Sequence, residues 1–183
     1  MNHDTRPNDL LLLAGKVLCV IMQAIMAIGA VALIVAAAAL LIWQGTIIAE
    51  YAAEIGDPDA VFPVYTLLGV MLIGLAIVAM LFLFFGILRK IIRTVGDRDP
   101  FAPANADRLS RMGWLMLGVQ LAMIPAVALG VHLAQFADEL EDVNVTVDGG
   151  TDVTGILLVI ILFILARVFR HGAAMREDLE GTV

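Results

Sequence analysis

Four long apolar stretches dominate the chain: Ala14–Trp43, Tyr65–Leu88, Met112–Phe136 and Val153–Phe169, parted by shorter polar segments. A helix needs about 20 mostly apolar residues to cross a bilayer, with a working range of about 17–25. The second and third stretches fit that length directly. The first is longer and is expected to tilt or to lie partly in the interface. The fourth is the shortest, and its basic end can snorkel. None of the four contains an acidic residue, and their Lys and Arg side chains stand only at the edges. A charge at a helix centre would cost about 2.5–3.5 kcal/mol on insertion scales. The pattern predicts an all-α polytopic membrane protein: one four-helix domain over residues 1–183, ending in a short acidic tail at 176–183.

Ala36-Ala37-Ala38 has the small-residue character of a signal cleavage site. The apolar region around it far exceeds the about 7–15 residues of a signal h-region, so an uncleaved anchor is expected.

Composition agrees with spanning helices. Of 183 residues, 61% are hydrophobic and 16% charged, whereas ordinary soluble domains are about 45–50% apolar and about 25% charged. A soluble enzyme is excluded on that ground. The single Cys19 offers no internal disulfide and no metal-binding spacing.

Charge distribution supplies an orientation. All eleven Lys and Arg residues lie before the first stretch or at its start, around the segment between the second and third, or at and after the end of the fourth. Arg89, Lys90, Arg93, Arg98, Arg108 and Arg111 make up the central group. Ten of the eighteen acids, among them Glu50, Glu54, Asp57, Asp59 and Asp148, fall in the other two loops. The positive-inside rule then predicts cytoplasmic N and C termini and a cytoplasmic central loop. The net charge of −7 argues against direct nucleic-acid binding.

Local signals refine the connections. Met1–Pro7 is polar and expected to be disordered, with Asn8 or Asp9 capping a helix from Leu10. Gly96-Asp97-Arg98-Asp99-Pro100 reads as a turn. Phe101 is expected to anchor at the membrane interface, and Pro103 to occupy the first turn of the next helix. Asp107 and Arg111 stand at i,i+4 and are expected to pair. Val143-Asn144-Val145-Thr146-Val147 alternates apolar and polar positions before Asp148-Gly149-Gly150, a pattern for a short strand. The two halves show no internal repeat of the kind that builds inverted-repeat transporters.

Candidate chemistry inside the spans is sparse. Gln23, Gln120, His132 and Cys19 are the polar groups of interest. A proton or ion relay would need interior carboxylates, and the spans have none. Gln23 and Gln120 sit at similar depth, where a mutual hydrogen bond would contribute about 0.6 kcal/mol. His132 is one helical turn from Phe136 and is read as interfacial. Gly118, Ala122, Ala126 and Gly130 recur at i+4 and form a small-residue ridge, suited to close packing within the bundle or between copies in a homo-oligomer. Pro125 inside that ridge predicts a kink. Asn144 to Gly149 resembles the start of an EF-hand loop but lacks its first and last carboxylates, leaving a solvated acidic rim as the reading. Asn144-Val145-Thr146 is a glycosylation sequon, meaningful only in a eukaryotic secretory pathway. No nucleophile–base set, phosphate loop or metal-spaced cluster occurs, so neither enzymatic activity nor a cofactor is expected.

Two segments carry a family resemblance. Asp99-Pro100-Phe101, Asn105 and Arg108-Leu109 resemble the "PF…N…RL" signature of the domain-of-unknown-function family 2975. Val168-Phe169-Arg170-His171-Gly172-Ala173, Arg176-Glu177-Asp178-Leu179 and Thr182-Val183 are similar to its "VFRxG…E…LTV" ending, with Gly181 where that family tends to have Leu. The resemblance implies a four-span protein of the prokaryotic cytoplasmic membrane, often accompanied by a small helix-turn-helix regulator. On that basis a regulatory or sensory role through protein contacts is expected. A transport or channel subunit and a membrane assembly factor are the alternatives. Arg98, Phe101, Asn105, Arg108, Arg111, Glu177, Asp178 and Glu180 are the expected partner contacts. Arg170 and His171 are expected in a basic belt against lipid headgroups.

Overall fold

Long uninterrupted apolar segments without internal charge have one stable form in lipid, the α-helix, because it satisfies its own backbone groups. In a computed structural model, which describes residues 7–57, 59, 61–97, 99–137 and 153–180, five helices follow one another. They are α1 (Pro7–Ile42), α2 (Gln44–Ile55), α3 (Val64–Gly96), α4 (Pro103–Ala137) and α5 (Val153–Glu180). Four of them are long and apolar enough to cross a membrane; α3, α4 and α5 contain the second, third and fourth apolar stretches whole, and α1 contains the first up to Ile42, one residue short of Trp43. No strand occurs among the described residues. The segment expected to form a strand lies outside them, as do the EF-hand-like loop and the sequon.

The helices outrun the apolar stretches. At about 1.5 Å per residue, the 33 residues of α3 measure about 50 Å, against about 30 Å of hydrocarbon core. The excess at the C-terminal end of α3 is Arg89–Gly96, and α5 continues likewise past Phe169.

Large apolar side chains point outward along the spans, among them Leu11, Ile28, Leu72, Ile124 and Ile164, each more than half exposed. Such a surface would be insoluble in water and is ordinary in lipid. The protein is an integral membrane protein.

Two details differ from expectation. Helix α1 begins at Pro7, with Asn8 and Asp9 inside it rather than capping it. Proline suits the first helical position, since its fixed φ is helical and its missing N–H would be unsatisfied there anyway. The first connecting loop contains α2, which Trp43 joins to α1 through one bend residue. Helical hydrogen bonds continue across it, from Trp43 N–H to the Ala39 carbonyl and from Ile47 N–H to the Trp43 carbonyl. Ile47, Tyr51 and Ile55 line one side at i,i+4, and Gly56 ends the helix in the left-handed region (φ 74°) with its N–H on the Ala52 carbonyl. Tyr51 is buried and meets Phe62 edge-on at 5.3 Å.

Contacts divide the described chain into two units. One comprises residues 28–79 together with the described residues from 121 onward to 137. In it Leu129 packs over Gly69 and Leu33 approaches Gly74. His132 and Phe136 stack at 5.3 Å. The other comprises residues 7–27, 80–120 and 153–180. Its core is Ile91, Leu109, Met112, Leu162 and Ala166, flanked by Phe84, Ile87 and Met116. Close approach there uses glycine: Met80 lies over Gly118 and Phe163 over Gly113. Ala122, Ala126 and Gly130 are half-buried on the α4 stripe that begins with Gly118, while Pro125 is exposed inside the helix. Gln23 donates its amide to the Phe82 carbonyl on α3 at 3.4 Å.

Candidate functional site

The second unit carries the residues of both motifs, and they converge on the turn between α3 and α4. Gly96 ends α3, and Asp97 and Asp99 donate their N–H groups back to the Arg93 and Thr94 carbonyls at 3.0 Å. Pro103 then opens α4, as the sequence predicts.

Asn105 holds that turn closed. It is 0% exposed, on the α4 face that also carries Leu109 and Met112 at i+4 and i+7. Its Nδ2 donates to Thr94 Oγ1 at 2.9 Å and to the Pro100 carbonyl at 3.0 Å. Its Oδ1 accepts from Arg108 Nη1 at 2.9 Å. The Thr94 hydroxyl donates in turn to the Ile91 carbonyl at 2.8 Å. Among the described residues no buried side-chain polar atom is left without a partner. A closed polar network of this kind fixes one geometry, because any slip strands a buried donor or acceptor.

Three further contacts fasten the same turn and the start of α4 to α5. Asp99 pairs with Arg176, both side chains about half exposed. Phe101 lies against Phe169 at 5.5 Å between centroids and covers Gly172 so closely that an added Cβ would stand 2.7 Å from its Cδ1. Asp107 meets Arg170 at 3.6 Å in a largely exposed pair.

This geometry corrects several expectations. Asn105 cannot touch a partner, because no part of it reaches the surface; it is a structural hub. Asp107 pairs with Arg170 across two helices instead of with Arg111 along one. Phe101 packs one side of its ring on α5, while 43% of it stays exposed. Arg108 is half-buried and committed to Asn105. Arg111, Glu177 and Asp178 are exposed. Arg98 and the Glu180 side chain lie outside the described residues.

Sequence reasoning missed Thr94, Asp99, Gly172 and Arg176 as parts of one clasp. The i,i+4,i+7 register of Asn105 with Leu109 and Met112 was the available signal for its burial.

No curated protein and no solved structure matches the chain. A family described as "Protein of unknown function (DUF2975)" matches residues 47–183, a range that contains every residue of the clasp. With most of its length covered, the chain belongs to the DUF2975 family of proteins of unknown function.

Proposed function

We propose that this protein is a regulatory membrane protein of the prokaryotic cytoplasmic membrane, with both termini and the α3–α4 turn in the cytoplasm, acting through contact with a small helix-turn-helix regulator. The observation that carries the reading is the state of the acidic tail. It is helical to Glu180, and Phe101 packed on Phe169 and Gly172, with Arg176 on Asp99, holds that helix against the α3–α4 turn. Glu177 and Asp178 are therefore presented on a braced helix. An ordered pair of carboxylates suits the basic DNA-reading face of a helix-turn-helix protein, and binding there would compete with DNA phosphate. Arg111, exposed on α4, adds a contact for acidic groups on the same partner. Such pairing steers association and weakens with salt.

The test is capture of a helix-turn-helix protein from the same gene neighbourhood by the full-length protein in detergent. The double variant Glu177→Lys, Asp178→Lys is expected to lose capture, and raised salt to weaken it in the parent. Equal capture by parent and variant removes the acidic face from the mechanism, and no capture by either removes the proposal.

A further inference from the structure

An open groove of about 880 Å³ runs along the end of α5 in the same unit. Phe101, Arg167, Val168, Arg170, His171 and Met175 line it. We infer that this groove is a binding site for an anionic phospholipid, with the phosphate held by Arg167, Arg170 and His171 and the glycerol and upper acyl chain laid on Val168, Met175 and Phe101.

Depth and chemistry both point there. Arg167 stands about 21 Å along α5 from Val153, and Met175 about 33 Å, at about 1.5 Å per residue. Against a hydrocarbon core of about 30 Å, the groove straddles the boundary between acyl chains and headgroups. Val168 and Met175 are each more than half exposed at that level, and Phe101 is 43% exposed. An apolar surface beside three basic side chains, spaced i, i+3 and i+4, needs an occupant that is apolar along one part and anionic at the other. A phospholipid has both parts. A free phosphate would leave Val168, Met175 and Phe101 bare, and a zwitterionic lipid would bring no net charge to the arginines. Arg170 stands 3.6 Å from Asp107 in a largely exposed pair, at the groove wall.

The experiment uses full-length protein reconstituted into vesicles of phosphatidylethanolamine and phosphatidylglycerol, extracted in mild detergent, with retained lipid counted by native mass spectrometry. The parent is expected to retain phosphatidylglycerol in preference to phosphatidylethanolamine. The double variant Arg167→Gln, His171→Gln is expected to retain it less, by about fivefold for the arginine alone, the effect of one basic residue at an anionic membrane surface. Both side chains are exposed, so helical content by circular dichroism should be unchanged. Lys90→Gln, an exposed cation on α3 outside the groove, is expected to have no effect. Equal loss in Lys90→Gln would mean diffuse attraction to charge and would overturn the site. Undiminished retention in the double variant, or displacement of the lipid by inorganic phosphate alone, would overturn it as well.

Discussion

Removing the Asn105 side chain should open the basic end of the bundle. Asn105→Ala deletes two donated hydrogen bonds, to Thr94 Oγ1 and to the Pro100 carbonyl. It also deletes the acceptor used by Arg108. Arg108 is half-buried and can turn to water, so its loss contributes little. The two Nδ2 bonds are each worth about 0.5–1.5 kcal/mol net. The unpaired Pro100 carbonyl adds to this, and the expected destabilisation is about 2–3 kcal/mol. For a chain of this size that corresponds to a midpoint lowered by about 4–12 °C. Cys19 supplies the assay. It is the only cysteine in the sequence and is 2% exposed, so maleimide labelling in detergent as temperature rises reports helix separation. Asn105→Asp sharpens the test. It keeps the shape and the acceptor for Arg108 but loses both donors, so a comparable fall is expected at neutral pH. Thr94→Val combined with Asn105→Ala should be non-additive by more than about 0.5 kcal/mol. An unchanged midpoint in Asn105→Asp, or strict additivity in the pair, would refute the hub.

Gly172→Ala places a Cβ 2.7 Å from Phe101 Cδ1 and should destabilise by about 1–3 kcal/mol through overpacking, lowering the same midpoint; adding Phe101→Leu should restore part of it, and no restoration would mean that the ring is not the obstacle. Ala122→Leu and Ala126→Leu enlarge half-buried positions on α4 and should each lower the midpoint, whereas unchanged values for both would mean that this stripe faces lipid. Asp107→Asn breaks a pair whose side chains are 70% and 67% exposed, so a shift below about 0.5 kcal/mol is expected, and a larger one would give the pair a role that its exposure does not explain.

The spanning helices were legible because lipid imposes a simple rule, a long apolar run without internal charge, and all four stretches fall on observed helices apart from Trp43 at the end of the first. Their ends were not, because backbone hydrogen bonding continues past the last apolar residue, as through Arg89–Gly96 of α3 and Arg170–Glu180 of α5. Helix α2 was overlooked because Glu50 and Glu54 made the segment read as a polar loop. Its signals were the Ile47, Tyr51, Ile55 spacing and the glycine after it. The motif residues were found, but their roles depend on tertiary neighbours. Asp107 had two arginines to choose from, and spacing along one helix favoured Arg111 while packing delivered Arg170. Phe101 and Gly172 are far apart in sequence, and only the fold shows that the ring needs the missing Cβ. A buried asparagine among polar loop residues looks like a surface residue until its helical register is followed to Leu109 and Met112.

We propose that the clasp and the acidic tail of this four-span protein share the cytoplasmic side. The most direct test is labelling with a membrane-impermeant maleimide after Asp57→Cys or Glu177→Cys, each made with Cys19→Ser. Labelling of Asp57→Cys in intact cells, and of Glu177→Cys only in inverted vesicles, is the predicted result. Labelling of both positions from the same side, or of Asp57→Cys only from the cytoplasm, would contradict it.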